Sequence, residues 1–226
     1  MLKIKSLLKK AYYINNIKVE KFNKNKKRLK VGVMGGTFNP IHNAHLLVAQ
    51  CAKENYSLDK VVFIPTGNPP HKKTCDINSI NRYEMVILAI MDNDNFLCLD
   101  FEIKKEGYSY TYDTLKYLKE FYDIDLYFIV GADSIYQIET WKNFEKNFEL
   151  SSFIASTRLE NINYEDRINY LNKKYNANIL ISYTPRFDIS STMIRENIKN
   201  KKSIKYIVPD NVKNYIFYNN LYAKGE

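Results

Sequence analysis

The stretch "VGVMGGTFNPIHNAH" occupies residues 31–45. Glycine is scarce, seven in 226 residues, yet Gly32, Gly35 and Gly36 crowd together here. Histidine is scarcer, three in all, yet His42 and His45 sit three apart just downstream. An apolar run, a glycine pair, a turn through Asn39-Pro40 and a helical pattern beginning near Ala44 read as strand, loop and helix. Histidines at i and i+3 share one helical face. At a helix N-terminus they would add donors to backbone N–H groups already suited to anions. The spacing predicts a polyphosphate cradle at the end of a strand. It is neither G-x-G-x-x-G, since no third glycine opens the helix, nor a P-loop, since no Gly-Lys-Ser/Thr follows.

The same rhythm continues along the chain. Strands are predicted at 29–34, 60–65, 96–100, 125–130, 151–156 and 178–182. Several are continuous apolar runs, as parallel strands covered on both faces require. Helices are predicted at 44–56, 79–93, 110–121, 134–138, 164–175, 191–200 and 210–218. The alternation predicts an α/β fold with a doubly wound, Rossmann-like parallel sheet. In such sheets ligands bind beyond the carboxyl ends of the strands. The loops "TGNPPHKK", "KKEGYSY" and "GADSIYQIETW" would share that edge with the histidine loop. Glu102 and Glu106 flank a turn and read as solvated.

A second anion site is predicted at "DISSTMIRENI" (188–198). Ser190 or Ser191 would cap the helix that follows. Arg195, one turn in, could reach the same anion with its planar fork. Asp133, read from its local sequence, is an N-cap for Ser134 onward. Trp141, the single tryptophan, is either core or a ring-stacking platform.

The net charge of +9 is unevenly placed. Residues 1–30 hold eleven Lys or Arg against one acid, Glu20, and the remainder is almost neutral. A polynucleotide-gripping domain would carry its own basic stripe, so no nucleic-acid partner is expected. Residues 1–14 read as a weak basic amphipathic helix, either part of a solvated tail or a packing helix, followed by a lysine- and asparagine-rich tether to residue 30. Residues 1–29 are therefore taken as a basic extension and 30–226 as the folded domain, whose activity the removal of residues 1–28 is expected to spare. Contact of the extension with a membrane surface or an acidic partner is a minor alternative. No run approaches the roughly 18–20 apolar residues of a membrane span, and no secretory signal pattern opens the chain. Cys51, Cys75 and Cys98 lack metal-type spacing, and Cys51 and Cys98 read as buried free thiols suited to a reducing, cytoplasmic setting.

"GGTFNPIHNAH" with "ISSTMIR" resembles the nucleotidyltransferase superfamily that carries (H/T)-x-G-H and I-S-S-T-x-I-R signatures. The resemblance is closest to bacterial nicotinate-nucleotide adenylyltransferases. It adds "PPHK" (69–72), "YSYTYDTL" (108–115), "GADS" (131–134), "TW" (140–141) and "YIVPDNVKNYI" (206–216), in order over residues 30–218. It implies transfer of the adenylyl group of ATP to nicotinate mononucleotide in NAD biosynthesis. It implies His42, His45, Arg195 and Lys72 as the catalytic set. On the ATP side it implies Gly35, Gly36, Thr37, Phe38, Gly131, Asp133, Ser134, Ile189, Ser190, Ser191 and Thr192. For the mononucleotide it implies Tyr110, Thr111, Trp141 and Arg158. An Mg2+ ion held by phosphate oxygens and water is expected, without protein ligands. Assembly into homo-oligomers is compatible with this reading. Ala44 replaces the signature glycine, Asn39 a frequent aspartate, and Arg158 lacks the Pro-Gly that usually follows. The same fold with another acceptor, such as nicotinamide mononucleotide or phosphopantetheine, is the alternative.

Overall fold

The computed structural model describes residues 2–25, 27–68, 77–157 and 164–223. Six strands form one sheet: β1 (Leu29–Gly36), β2 (Lys60–Pro65), β3 (Phe96–Cys98), β4 (Ile124–Gly131), β5 (Ser152–Thr157) and β6 (Ile179–Tyr183). Their order is β3-β2-β1-β4-β5-β6, and every neighbouring pair is parallel. The chain leaves β1 toward β2 and β3, then crosses back to place β4 on the other flank of β1. The carboxyl ends of β1 and β4 thus lie side by side where the winding reverses, and such switch points open a crevice.

The strands read as unbroken apolar runs because both faces are buried. Val61 and Phe63 enter one core while Val62 and Ile64 enter the other. The first core is closed by α2 (Asn43–Asn55), α3 (Ser79–Ala89), α9 (Ser191–Lys199) and α10 (Asp210–Tyr218). The second is closed by α5 (Thr111–Phe121), α6 (Ala132–Tyr136), α7 (Phe144–Leu150) and α8 (Tyr164–Tyr175). Most bounds lie within two residues of the sequence reading. α7 and the one-turn α4 (Phe101–Lys104) are additions; both are too short to display a full amphipathic period.

In the N-terminal region the packing-helix alternative holds, over a longer span than expected. One helix, α1 (Leu2–Asn23), covers most of the stretch read as a tether, and it is packed rather than trailing. Ile4 and Ala11 bury in the first core and Phe22 in the second. β3 is one of the two outer strands of the sheet, and Asn15 covers it. Its side-chain amide donates to the Cys98 carbonyl (3.0 Å) and accepts from the Cys98 N–H (2.9 Å), as a neighbouring strand would. The Lys18 ammonium collects the carbonyls of Ile90, Met91 and Asn93 at 2.7–3.3 Å. It thereby satisfies the chain just past α3, which stops at Ala89 and not at Asn93. Removal of residues 1–28 would therefore expose a strand edge and two pieces of core. Cys98 is buried as expected, whereas Cys51 is only partly so.

Candidate active site

The strand β1 runs on through Gly36, so Gly35 and Gly36 are strand residues and not a loosened loop. Smallness serves ring packing at Gly36, whereas Gly35 has room for ordinary contact. A Cβ on Gly36 would stand 3.1 Å from the Phe38 ring, and one on Gly35 would stand 3.4 Å from that of Phe128. The chain then turns sharply, with Phe38 at φ 48° and a cis Asn39-Pro40 bond. Phe38 is buried and meets His45 edge-on, with ring centroids 5.2 Å apart.

His42 is the N-cap of α2, and His45 stands at its third position. The two rings stack, with centroids 3.7 Å apart and planes inclined by 24°. The His42 N–H donates to His45 Nδ1 at 3.2 Å, which places the proton of a neutral His45 on Nε2. Burial drives the pKa of His42 down to about 4. Burial and then the neighbouring His42 hold His45 well below the ordinary imidazole value. At neutral pH the pair is uncharged: two hydrogen-bonding rings, not two cations. His42 Nδ1 is buried with no hydrogen-bond partner among the described residues.

The second sequence motif is bolted onto this loop. Ser190 caps α9 by accepting the Met193 N–H at 3.1 Å, so the adjacent Ser191 is free for another task. Its hydroxyl donates to the Pro40 carbonyl at 2.9 Å. Arg195 donates to the Asn39 carbonyl at 2.8 Å and to the Thr192 hydroxyl at 3.2 Å. The guanidinium and the histidine loop, 150 residues apart in sequence, therefore meet at one corner. Asn39 is itself buried, and its side-chain oxygen accepts from the Tyr222 hydroxyl at 2.7 Å.

A cleft of about 760 Å³ opens over the switch point, between the ends of β1, β4, β5 and β6. Of the predicted residues, His42, His45, Gly131, Asp133 and Ile189 line it, together with Ala44. Gly35, Gly36, Thr37 and Phe38 are not on the lining, although Phe38 packs against His45. Ser134 and the α9 residues Ser190, Ser191, Thr192 and Arg195 are also off the lining. Asp133 is not a cap: α6 begins at Ala132 after Gly131, and Asp133 sits within the first turn. Its carboxylate accepts instead from the Tyr164 hydroxyl at 2.9 Å. Tyr164 and Arg186 also line the cleft. Sequence reading passed over both, since each stands at an element edge with no motif around it. Lys72 and Arg158 lie outside the described residues.

On the other side of the switch point, Trp141 meets Phe128 edge-on, centroids 6.2 Å apart at 90°. It is partly buried against the second core. Lys142, its neighbour, holds its ammonium 4.0 Å from the centre of the Tyr110 ring, a cation–π distance. Tyr110 caps α5 and Thr111 opens it. Tyr110 and the Trp141 segment, 31 positions apart, thus face one another, and Lys142 is a further candidate that the sequence did not single out. Glu102 is not solvated: it is buried, accepts from the Thr114 hydroxyl at 2.6 Å, and burial raises its pKa.

Residues 33–197 match the cytidylyltransferase-like family. A probable nicotinate-nucleotide adenylyltransferase of Clostridium botulinum (strain Alaska E43) is 43% identical over 198 residues, covering 86% of this chain and 98% of that protein. One from Thermoanaerobacter sp. is 42% identical over 206 residues, covering 88% and 97%. The chain belongs to the nicotinate-nucleotide adenylyltransferase family. A Plasmodium falciparum nicotinic acid mononucleotide adenylyltransferase complexed with NaAD shares the fold, with a TM-score of 0.72 at 24% identity over 86% of this chain and 98% of that one. The form complexed with APC gives 0.70 at 23% over the same shares. The stretch matched by the cytidylyltransferase-like family begins after α1, so the helix covering β3 stands apart from it. Among the described residues, no helix is long and apolar enough to cross a membrane.

Proposed function

We propose that this member of the adenylyltransferase family joins ATP to nicotinate mononucleotide, giving nicotinate adenine dinucleotide and pyrophosphate. The observation that carries the reading is the meeting of the stacked His42–His45 pair with Arg195 through the Asn39-Pro40 loop. The relatives' names supply the acceptor.

A 5′-phosphate oxygen of the mononucleotide forms a bond to the α-phosphorus of ATP. The bond from that phosphorus to the α,β-bridging oxygen breaks, and its electron pair leaves on pyrophosphate. The attacking oxygen is already an anion, so no protein nucleophile is needed. The protein supplies position and hydrogen-bond donors aimed at the developing charge. Nε2–H of His45 is assigned to the α-phosphate and His42 to the neighbouring phosphates. Arg195 and the Ser191/Thr192 end of α9 are assigned to the departing phosphates, and Lys72 to the phosphate region as a point charge. Gly131, Asp133 and Ser134 are assigned to the adenosine side. Tyr110, Thr111, Trp141 and Arg158 are assigned to the mononucleotide.

Among the described residues no three His, Cys, Asp or Glu side chains gather as a metal cage. The donor set on the cleft is imidazole, hydroxyl and guanidinium, with Asp133 as its carboxylate. That fits an Mg2+ ion carried by phosphate oxygens and water, supplying extra positive charge to the leaving group. A cytoplasmic setting suits a reaction on ATP and suits the free thiols of Cys51 and Cys98.

Offering ATP and Mg2+ with nicotinate mononucleotide, nicotinamide mononucleotide or phosphopantetheine, and measuring pyrophosphate, tests the reading. Release should be fastest with nicotinate mononucleotide. Faster release with either other acceptor would reassign the substrate.

A further inference from the structure

Among the described residues Arg82 is the largest fully buried side chain, with 1% of its surface exposed, and the reaction outlined above makes no use of it. It lies on α3. One of its terminal nitrogens donates to the Thr37 carbonyl at 2.7 Å, and the other donates to the Gly67 carbonyl at 3.1 Å. Thr37 begins the loop that carries the histidines. Gly67 lies in the connection that follows β2. One planar cation thus holds two neighbouring strand-end loops at a fixed separation.

The Gly67 end of this strap is immobilised from several directions. Thr66 N–H donates to the Gly36 carbonyl at 2.9 Å. The Gly67 backbone hydrogen-bonds to the buried Glu102 carboxylate. Ser109 N–H donates to the Asn68 carbonyl at 3.0 Å. A Cβ on Gly67 would stand 2.0 Å from the Glu102 carbonyl oxygen, so the contact admits glycine alone. Ser109 immediately precedes Tyr110 and Thr111. An unbroken path of short bonds therefore runs from the histidine loop, through Arg82 and residues 66–68, to the start of α5.

Burying a guanidinium is costly unless its hydrogen bonds are well made, and an apolar replacement is often no less stable. What Arg supplies over an apolar side chain is its fork, which fixes two acceptors relative to each other. We propose that Arg82 is a positioning residue that sets the distance between the ATP-side loop and the acceptor-side element. It acts on alignment of the two reactants and leaves affinity for ATP alone unaffected. This rests on the assignment of those two sides made under the proposed function. In-line transfer is sensitive to displacements near 1 Å, which cost on the order of 100-fold in rate.

The test compares the full-length protein with Arg82→Lys, Arg82→Gln and Glu102→Gln. Lys donates from a single nitrogen and Gln from a single amide, so neither reproduces the two-nitrogen fork that fixes the separation of the two carbonyls, whereas Gln at 102 keeps a side-chain oxygen that can accept from Gly67 or Thr114. At saturating substrates, turnover should fall at least tenfold in both Arg82 variants and less than threefold in Glu102→Gln. Calorimetric affinity for ATP should stay within twofold throughout. Hydrogen exchange should quicken together at residues 37–41 and 66–68 in both Arg82 variants, a readout independent of acceptor identity. Folded Arg82 variants with turnover within twofold of the parent, or with unchanged exchange in both loops, would overturn the proposal. So would a loss of ATP affinity matching the loss of turnover. Failure of the parent itself to use nicotinate mononucleotide would count against the acceptor assignment and leave the exchange result to decide on the strap.

Discussion

His42 and His45 behave as a unit because they touch. Stacked at 3.7 Å, with His42 buried and His45 partly so, they stay neutral where free histidines begin to charge. Their function at neutral pH is to orient N–H groups, with the direction of the His45 ring set by the His42 backbone. Replacing His45 with Ala should lower turnover by about 100- to 10,000-fold, the range of a lost transition-state donor or acid, while circular dichroism and the melting midpoint change little. Near-parental turnover would remove His45 from the chemistry.

The lowered imidazole pKa has a stability consequence with a definite sign. Below the ordinary value of 6.5 the unfolded chain binds a proton at residue 42 that the fold resists until about pH 4. The unfolded state binds more protons in that window, so stability falls as pH drops from 6.5 toward 4. The shift corresponds to about 3 kcal/mol for His42 at the bottom of the window, and His45 adds in the same direction. Urea titrations of the ligand-free protein at pH 7 and pH 4.5 should show this loss, and His42→Asn should lose less. Equal pH sensitivity of parent and variant would contradict it.

At the scale of elements, α1 belongs to the fold. Asn15 occupies both hydrogen-bonding groups of Cys98 on the outer strand β3. Removing that amide with Asn15→Ala leaves a buried donor and acceptor unpaired, costing about 1–3 kcal/mol. For a chain of this size that is a fall of roughly 2–12 °C in melting midpoint. Deleting residues 1–23 should cost more and promote aggregation through the bared strand edge. A deletion protein with the parental midpoint would show that α1 is dispensable. The sequence conveyed little of this, since Asn15 is one of many asparagines in a lysine-rich stretch and its partner lies 83 positions away. α9 was more legible: its Ser-Ser-Thr-x-x-Arg run holds its own cap, and only the contacts of Ser191 and Arg195 with the Asn39-Pro40 loop required the tertiary structure.

For the whole molecule, the parallel sheet was legible because the strands are short, mostly apolar runs separated by helical patterns. The order β3-β2-β1-β4-β5-β6 then places every strand-end loop on one edge. Interior charges were the least legible feature. Arg82 and Glu102 sit in ordinary helical or turn patterns, and nothing local distinguishes a buried charge from a solvated one. The sheet's reversal between β1 and β4 determines where the cleft opens, and the tie between α9 and the histidine loop determines what it can grip.

The most direct measurement is a crystal structure of the protein with a non-hydrolysable ATP analogue. The triphosphate should lie in the switch-point cleft, with one phosphate oxygen within hydrogen-bond distance of His45 Nε2 and another within reach of the Arg195 guanidinium. A triphosphate bound elsewhere, or touching one of these groups while the other faces away from it, would contradict the account.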